Sequence, residues 1–139
     1  MQKRYYLDTS IWWDFHENRV DRFRPLGEWA FELLKKIIRE KDIVLYSDLV
    51  VEELLHYFSM EKINKMFSIV ADKGLLEEVD ISQEQRREAG ILCNRLKIPF
   101  SDCIYAILAR DNLAIMVARD HHFELLAEIT EFKKPEELI

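Results

Sequence analysis

Glycine and proline are scarce, with three residues of each in a chain of 139. So few turn-formers argue against a loop-rich, collagenous or disordered polypeptide. The glycines, Gly27, Gly74 and Gly90, are scattered, and none builds the phosphate-cradling loop of a P-loop nucleotide-binding protein. Cysteine is scarcer still. Cys93 and Cys103 offer neither a disulfide framework nor a zinc-ligand spacing, and read as two buried thiols of a reducing compartment. No apolar run approaches the roughly 18 residues of a membrane span. The run at Tyr5–Leu7 meets Asp8 too early for a secretory signal, whose apolar core needs about 7–15 residues. A cytoplasmic protein without membrane partners is expected. Basic residues number 20 against 26 acidic ones, a net charge of −6, which excludes a globally basic nucleic-acid binder but not a local basic patch. Glutamine is rare beside plentiful Lys, Glu and Ile, a balance that leans thermophilic.

What is present is an apolar fraction of 49%, enough for a sizeable core, in a length that suits one domain over residues 1–139. No repeat or linker interrupts it. Short continuous apolar runs occur at Tyr5–Leu7, Ile43–Tyr46, Leu76–Val79, Ala114–Val117 and Ile129–Phe132. Continuous rather than alternating runs suit strands covered on both faces, as in a parallel sheet. Helical patterns lie between them. Leu26–Arg39 carries a stripe of Leu26, Trp29, Ala30, Leu33, Leu34, Ile37 and Ile38. Asp48–Tyr57 and Lys62–Asp72 read as two more helices. Ser82 and Gln85 form a capping box that opens a helix running through Arg95. Beyond Pro99, Ser101 can cap a helix over Asp102–Arg110. The alternation predicts an α/β fold: a three-layer α/β/α sandwich on a mostly parallel sheet of about five strands.

Ligands of such sheets bind beyond the carboxyl ends of the strands. Asp8 directly follows the first run. Glu53 lies early in the helix after the second, Asp102 opens the helix before the fourth, and Asp120 follows the fourth. If that helix starts at the same sheet edge, four carboxylates converge. Two like charges about 4 Å apart repel by about 4 kcal/mol even at an effective dielectric near 20. Such a group persists only if cations neutralise it or protons do. Hard oxygen donors favour Mg²⁺ or Mn²⁺, which substrate phosphates often complete, pointing to phosphodiester chemistry. The alternative is ordinary capping, since an acid at a helix N-terminus commonly satisfies backbone N–H groups.

Four segments resemble the motifs of PIN-domain nucleases. Tyr6-Leu7-Asp8-Thr9-Ser10 resembles the opening strand and its Asp-Thr-Asn/Ser step. Ser47-Asp48-Leu49-Val50-Val51-Glu52-Glu53-Leu54 resembles the second motif, a Ser followed six residues later by Glu-Leu. Ile98-Pro99-Phe100-Ser101-Asp102-Cys103-Ile104-Tyr105-Ala106 resembles the third, and Met116-Val117-Ala118-Arg119-Asp120-His121-His122-Phe123 the fourth. Their order and the chain length agree with the family. The resemblance implies a PIN-like fold and a catalytic, metal-binding quartet of Asp8, Glu53, Asp102 and Asp120. Glu52 competes with Glu53, but the offset from Ser47 and the following Leu54 favour Glu53. Two adjacent helical residues point about 100° apart, so only one faces the pocket easily. The family's frequent Thr is Ala118 here. The resemblance further implies a Mg²⁺- or Mn²⁺-dependent endoribonuclease, of the size of VapC-type toxins, with RNA as substrate, an antitoxin protein as partner and a homodimeric state.

Supporting roles fall to Thr9, Ser10 and Ser101, whose hydroxyls or N–H groups lie beside the acids in sequence. Arg110, Arg119, Arg22 and Arg24 are candidates for RNA contact. A charge run is more often a solvated helix face. His121 and His122 lie beside Asp120, either as exposed residues at a helix start or in contact with substrate. The adjacent Trp12 and Trp13 cannot both point inward from one helix. Rival functions lack their residues. A haloacid-dehalogenase-type phosphatase needs a second Asp two residues after the first, where Ser10 stands. A response-regulator receiver needs an acid pair that Asp8 does not have. The rival of another class is a non-catalytic RNA-binding or protein-interaction module on the same scaffold.

Overall fold

A computed structural model describes all 139 residues. The strands are β1 (Arg4–Leu7), β2 (Ile43–Tyr46), β3 (Leu76–Glu78), β4 (Ile115–Val117) and β5 (Phe132–Lys133). They form one sheet in the order β3-β2-β1-β4-β5, and every pairing is parallel. The expectation of a mostly parallel sheet is thus exceeded. The central strand β1 sets Tyr6 against Leu45 of β2 and Met116 of β4. All of Tyr5, Tyr6 and Leu7 are buried, as a strand covered on both faces requires.

The helices are α1 (Thr9–Glu17), α2 (Leu26–Glu40), α3 (Asp48–Leu55), α4 (Met60–Ala71), α5 (Gln83–Leu96) and α6 (Phe100–Asp111), with 3-10 helices at His121–Leu126 and Pro135–Glu137. The chain steps from β1 to β2 to β3 in one direction, then returns across the sheet to β4. Right-handed crossovers therefore place α1–α4 on one face and α5–α6 on the other. Contacts agree: α1, α2, α3 and α4 pack among themselves, while α6 lies on β1 and β4 with α5 outside it. Every residue of α6 from Cys103 to Ala109 is consequently buried. No helix is long and apolar enough to cross a membrane.

The capping box at Ser82 and Gln85 is present, both of its hydrogen bonds made. Other expectations shift by local physics. The helix after β2 stops at Leu55, because His56, Tyr57 and Phe58 turn to fold α4 back. That helix begins at Met60, capped by Ser59, whose hydroxyl accepts the Lys62 N–H at 3.2 Å. Ser101 is not a cap. The helix starts at Phe100, with Pro99 at the N-cap position and no side-chain cap. The fifth strand is only Phe132–Lys133, because Ile129 and Thr130 close the turn after the 3-10 helix through hydrogen bonds to Leu126. Trp12 is enclosed against Phe67 at 4.5 Å, whereas Trp13 lies at the surface against Tyr57 and Phe58.

Two glycines sit in opposite circumstances. A Cβ on Gly27 would lie 2.3 Å from the Asn18 Cα, because the end of α1 crosses the start of α2 there. A Cβ on Gly90, within α5, would meet nothing within 4 Å. Gly27→Ala should therefore lose about 1–3 kcal/mol through backbone displacement. Gly90→Ala should gain about 0.5–1 kcal/mol through helix propensity. Urea unfolding of the two variants beside the wild type checks both signs.

Candidate active site

The sheet order reverses between β1 and β4, and the crevice at the carboxyl ends of those strands is where such folds place ligands. The Asp8 N–H donates to the Val117 carbonyl at 2.9 Å, tying the two strand exits together. Asp8 occupies the N-cap position of α1, yet its carboxylate makes no cap. Instead its Oδ2 accepts the Ser10 hydroxyl at 2.6 Å. The side chain is enclosed, and burial raises its pKa to about 7. The Ser10 hydrogen bond opposes that rise, and the charges of Asp102 and Glu53 add to it.

Glu53 reaches the crevice from α3. Its Oε1 accepts the Thr9 hydroxyl at 2.7 Å and also the Tyr105 hydroxyl. The two hydroxyls lie 3.2 Å apart. Three elements, α1, α3 and α6, thus meet on one carboxylate oxygen, while the neighbouring Glu52 is exposed. The start of α3 is pinned by the fully buried Ser47, which shares a 2.8 Å hydrogen bond with Tyr6 of β1. Asp102 sits in the first turn of α6. Its Oδ2 lies 3.0 Å from His122 Nδ1. Burial raises its pKa, His122 opposes the rise, and Asp120 and Glu53 reinforce it. Asp120 is the most exposed of the four. Its Oδ1 accepts the His122 N–H at 2.9 Å, so this acid does cap the 3-10 helix. The same oxygen lies 3.2 Å from His122 Nδ1 and 3.4 Å from His121 Nδ1.

None of the four acids is ion-paired to a lysine or arginine. Their basic partners are His121 and His122. Oxygen donors gathered at one end of a switch point, two of them (Asp8 and Asp102) raised in pKa and none paired with a lysine or arginine, suit a divalent cation. Beside them, Asp8, Ser10 and Asp120 share a cleft of about 260 Å³ with Asp14, Arg19, Leu26 and Arg119.

The remaining expected residues are dispersed. Ser101 adjoins Asp102 but caps nothing. Arg119 lines the cleft, with both Nη atoms on Glu136 at 2.7 and 2.8 Å and its buried Nε unpaired. Arg22 and Arg24 lie on the exposed turn between α1 and α2, where Arg24 pairs with Asp21. Arg110 is at the opposite end of α6 from Asp102. It is held there by Glu88 at 2.7 and 2.8 Å and by Asp111, away from the crevice. Sequence reasoning missed Tyr105 and Asp14. Tyr105 stands three residues after Asp102, a spacing that puts both on one helix face. Asp14 is an acid buried in α1 with Arg19 Nε at 3.7 Å, and nothing in its spacing marks it.

The sequence matches the PIN domain over residues 5–129. The chain belongs to the PIN-domain family. Among solved structures it is similar to a chain of the crystal structure of VapBC2 from Rickettsia felis bound to a DNA fragment from their promoter. The TM-score is 0.65 at 18% identity, over 94% of this chain and 98% of that one. No curated protein matches it.

The Asp8 geometry has a thermodynamic consequence for this PIN domain. With a folded pKa near 7, Asp8 binds a proton more tightly in the folded than in the unfolded chain, where 3.8 is the reference. Its contribution to stability therefore declines as pH rises from about 4 to 7. In chelator, Asp8→Asn should match wild type near pH 4 and exceed it near pH 8, by on the order of 2–4 kcal/mol. Thermal unfolding at several pH values reads the difference.

Proposed function

We propose that this PIN domain is a divalent-metal-dependent endoribonuclease and acts as the toxin of a toxin–antitoxin pair. The carrying observation is the gathering of four carboxylates from separate elements at the β1/β4 crevice without a lysine or arginine countercharge. Family membership and the fold shared with the Rickettsia felis VapBC2 chain support the reading. By the same likeness the partners are an antitoxin protein and a second copy of the chain.

Asp8, Glu53, Asp102 and Asp120 would hold Mg²⁺ or Mn²⁺, and the bound ion supplies Lewis acidity toward a phosphodiester and toward an attacking water. The chain's own residues do the positioning. Ser10 fixes the Asp8 carboxylate. Thr9 and Tyr105 fix Glu53, and each donates a neutral hydroxyl that adds no charge to the cluster. Arg119 and Arg19 form the cationic wall of the adjoining cleft and meet the RNA backbone there. Arg19 is half-exposed over the Trp13 ring at 5.4 Å, with Asp14 Oδ1 3.7 Å from its Nε.

Incubating the protein with a fluorogenic single-stranded RNA, in Mg²⁺, Mn²⁺ or chelator, tests the reading. Cleavage should require metal and fall about a hundredfold in Asp102→Asn. Equal cleavage by wild type and variant would refute it. If wild type cuts no RNA and binds Mn²⁺ no better than Asp102→Asn, the non-catalytic module takes its place. For Arg19→Ala, RNA binding should weaken across sequences and the salt dependence of log K should become shallower by about one unit. Fluorescence anisotropy over a salt series measures both.

A further inference from the structure

Every carboxylate of the quartet is a hard oxygen donor, but the crevice also contains a nitrogen. His122 Nδ1 lies 3.0 Å from Asp102 Oδ2 and 3.2 Å from Asp120 Oδ1. One ring nitrogen thus faces two carboxylates that arrive from different elements, α6 and the segment after β4. A six-coordinate ion holds donors about 2.1 Å away, which puts adjacent donors about 3 Å apart. Each contact is a hydrogen-bond distance without an ion, and each equals the spacing of neighbouring donors around such an ion. The ring is held in place independently of any ion. Its own backbone N–H donates to Asp120 at 2.9 Å, and Phe123, the next residue, is fully enclosed in the core. Asp120, His121 and His122 also bring their donor atoms within 4.8 Å of one another. His121, however, is largely exposed and has Asp120 as its only acidic partner, at 3.4 Å. It lacks the second carboxylate that marks His122.

From this arrangement we infer that His122 is a direct nitrogen ligand of the metal held at the carboxylate quartet, and that it tunes the site toward a first-row transition ion such as Mn²⁺ over Mg²⁺. The inference rests on the metal site proposed above. Imidazole contributes strongly to binding of transition ions, whereas Mg²⁺ favours carboxylate, carbonyl and water oxygens. An all-carboxylate site discriminates little between Mg²⁺ and Mn²⁺. One imidazole in the shell shifts the balance toward Mn²⁺.

Mn²⁺ binding, followed by electron paramagnetic resonance, gives a direct readout that needs no turnover. Wild-type protein loaded with Mn²⁺ should show ¹⁴N coupling from a coordinated imidazole in pulsed spectra. His122→Gln should lose that coupling and bind Mn²⁺ about tenfold or more weakly. Its Mg²⁺ affinity, by competition, should change much less. His121→Gln should keep the coupling. Far-ultraviolet circular dichroism of both variants confirms that they are folded, and the wild-type spectrum stands without them. Mn²⁺ bound by wild type without nitrogen coupling would overturn the histidine ligand while leaving the carboxylate site intact. Failure of wild type to bind Mn²⁺ at all would overturn both. Coupling that survives in His122→Gln but vanishes in His121→Gln would also refute the assignment to His122.

Discussion

Electrostatic repulsion among carboxylates is the constraint around which this crevice is organised. Asp8 and Asp102 are both removed from water, and each lies within reach of other acids. Burial alone disfavours their charged forms, and neighbouring charges disfavour them further. A fold built only for stability would bring a lysine or arginine here, as Arg110 answers Glu88 and Asp111 at the far end of α6. At the crevice the chain withholds that answer. It leaves an uncompensated negative site at a topological switch point and accepts the stability cost.

The supporting shell is consistent with that role. Ser10, Thr9 and Tyr105 donate hydrogen bonds without carrying charge, so they orient the acids yet leave the cluster's negative potential intact. Geometry along the helices makes this possible. Thr9 and Ser10 begin α1 immediately after Asp8, and Tyr105 stands nearly one turn beyond Asp102. The arginines that do approach are spoken for by other acids. Arg119 is clamped by Glu136 near the chain's C-terminal end, and Arg19 lies beside the buried Asp14. The cationic wall is thereby kept from neutralising the quartet, and remains beside it in the same cleft.

Much of this fold could be read from apolar runs. The strands at Tyr5–Leu7 and Ile43–Tyr46 are continuous, and continuous burial is what a parallel central strand demands. The edge was less legible. β5 is two residues long and held by a turn, too short for a periodic signal. Ser101 misled because its hydroxyl suits a cap, whereas Pro99, disfavoured in a helix interior, itself takes the N-cap position and the helix starts one residue before Ser101. The meeting of Asp8, Glu53, Asp102 and Asp120 at one edge was inferable from strand ends and motif order. The partners of those acids were not. Thr9 meets Glu53 across 44 positions of sequence and Tyr105 meets it across 52. Arg110 shows the converse. It shares a helix with Asp102, but the helix runs the depth of the sheet and carries it to the opposite edge.

The departure at Ala118 can be understood in the same terms. In the motif it resembles, a threonine often precedes the last acid by two residues, and its hydroxyl is available to support the site. Here the position is fully enclosed, and its N–H is spent on the Lys133 carbonyl, pairing β4's exit with β5. A methyl group fits such a place without leaving a buried hydroxyl to satisfy. Support for Asp120 comes from the other side. The His122 N–H donates to its Oδ1, and the His122 ring bridges it to Asp102. Loss of a hydroxyl before the acid and gain of an imidazole after it are thus two halves of one arrangement. The fourth carboxylate is anchored from the 3-10 helix that follows rather than from the strand that precedes it.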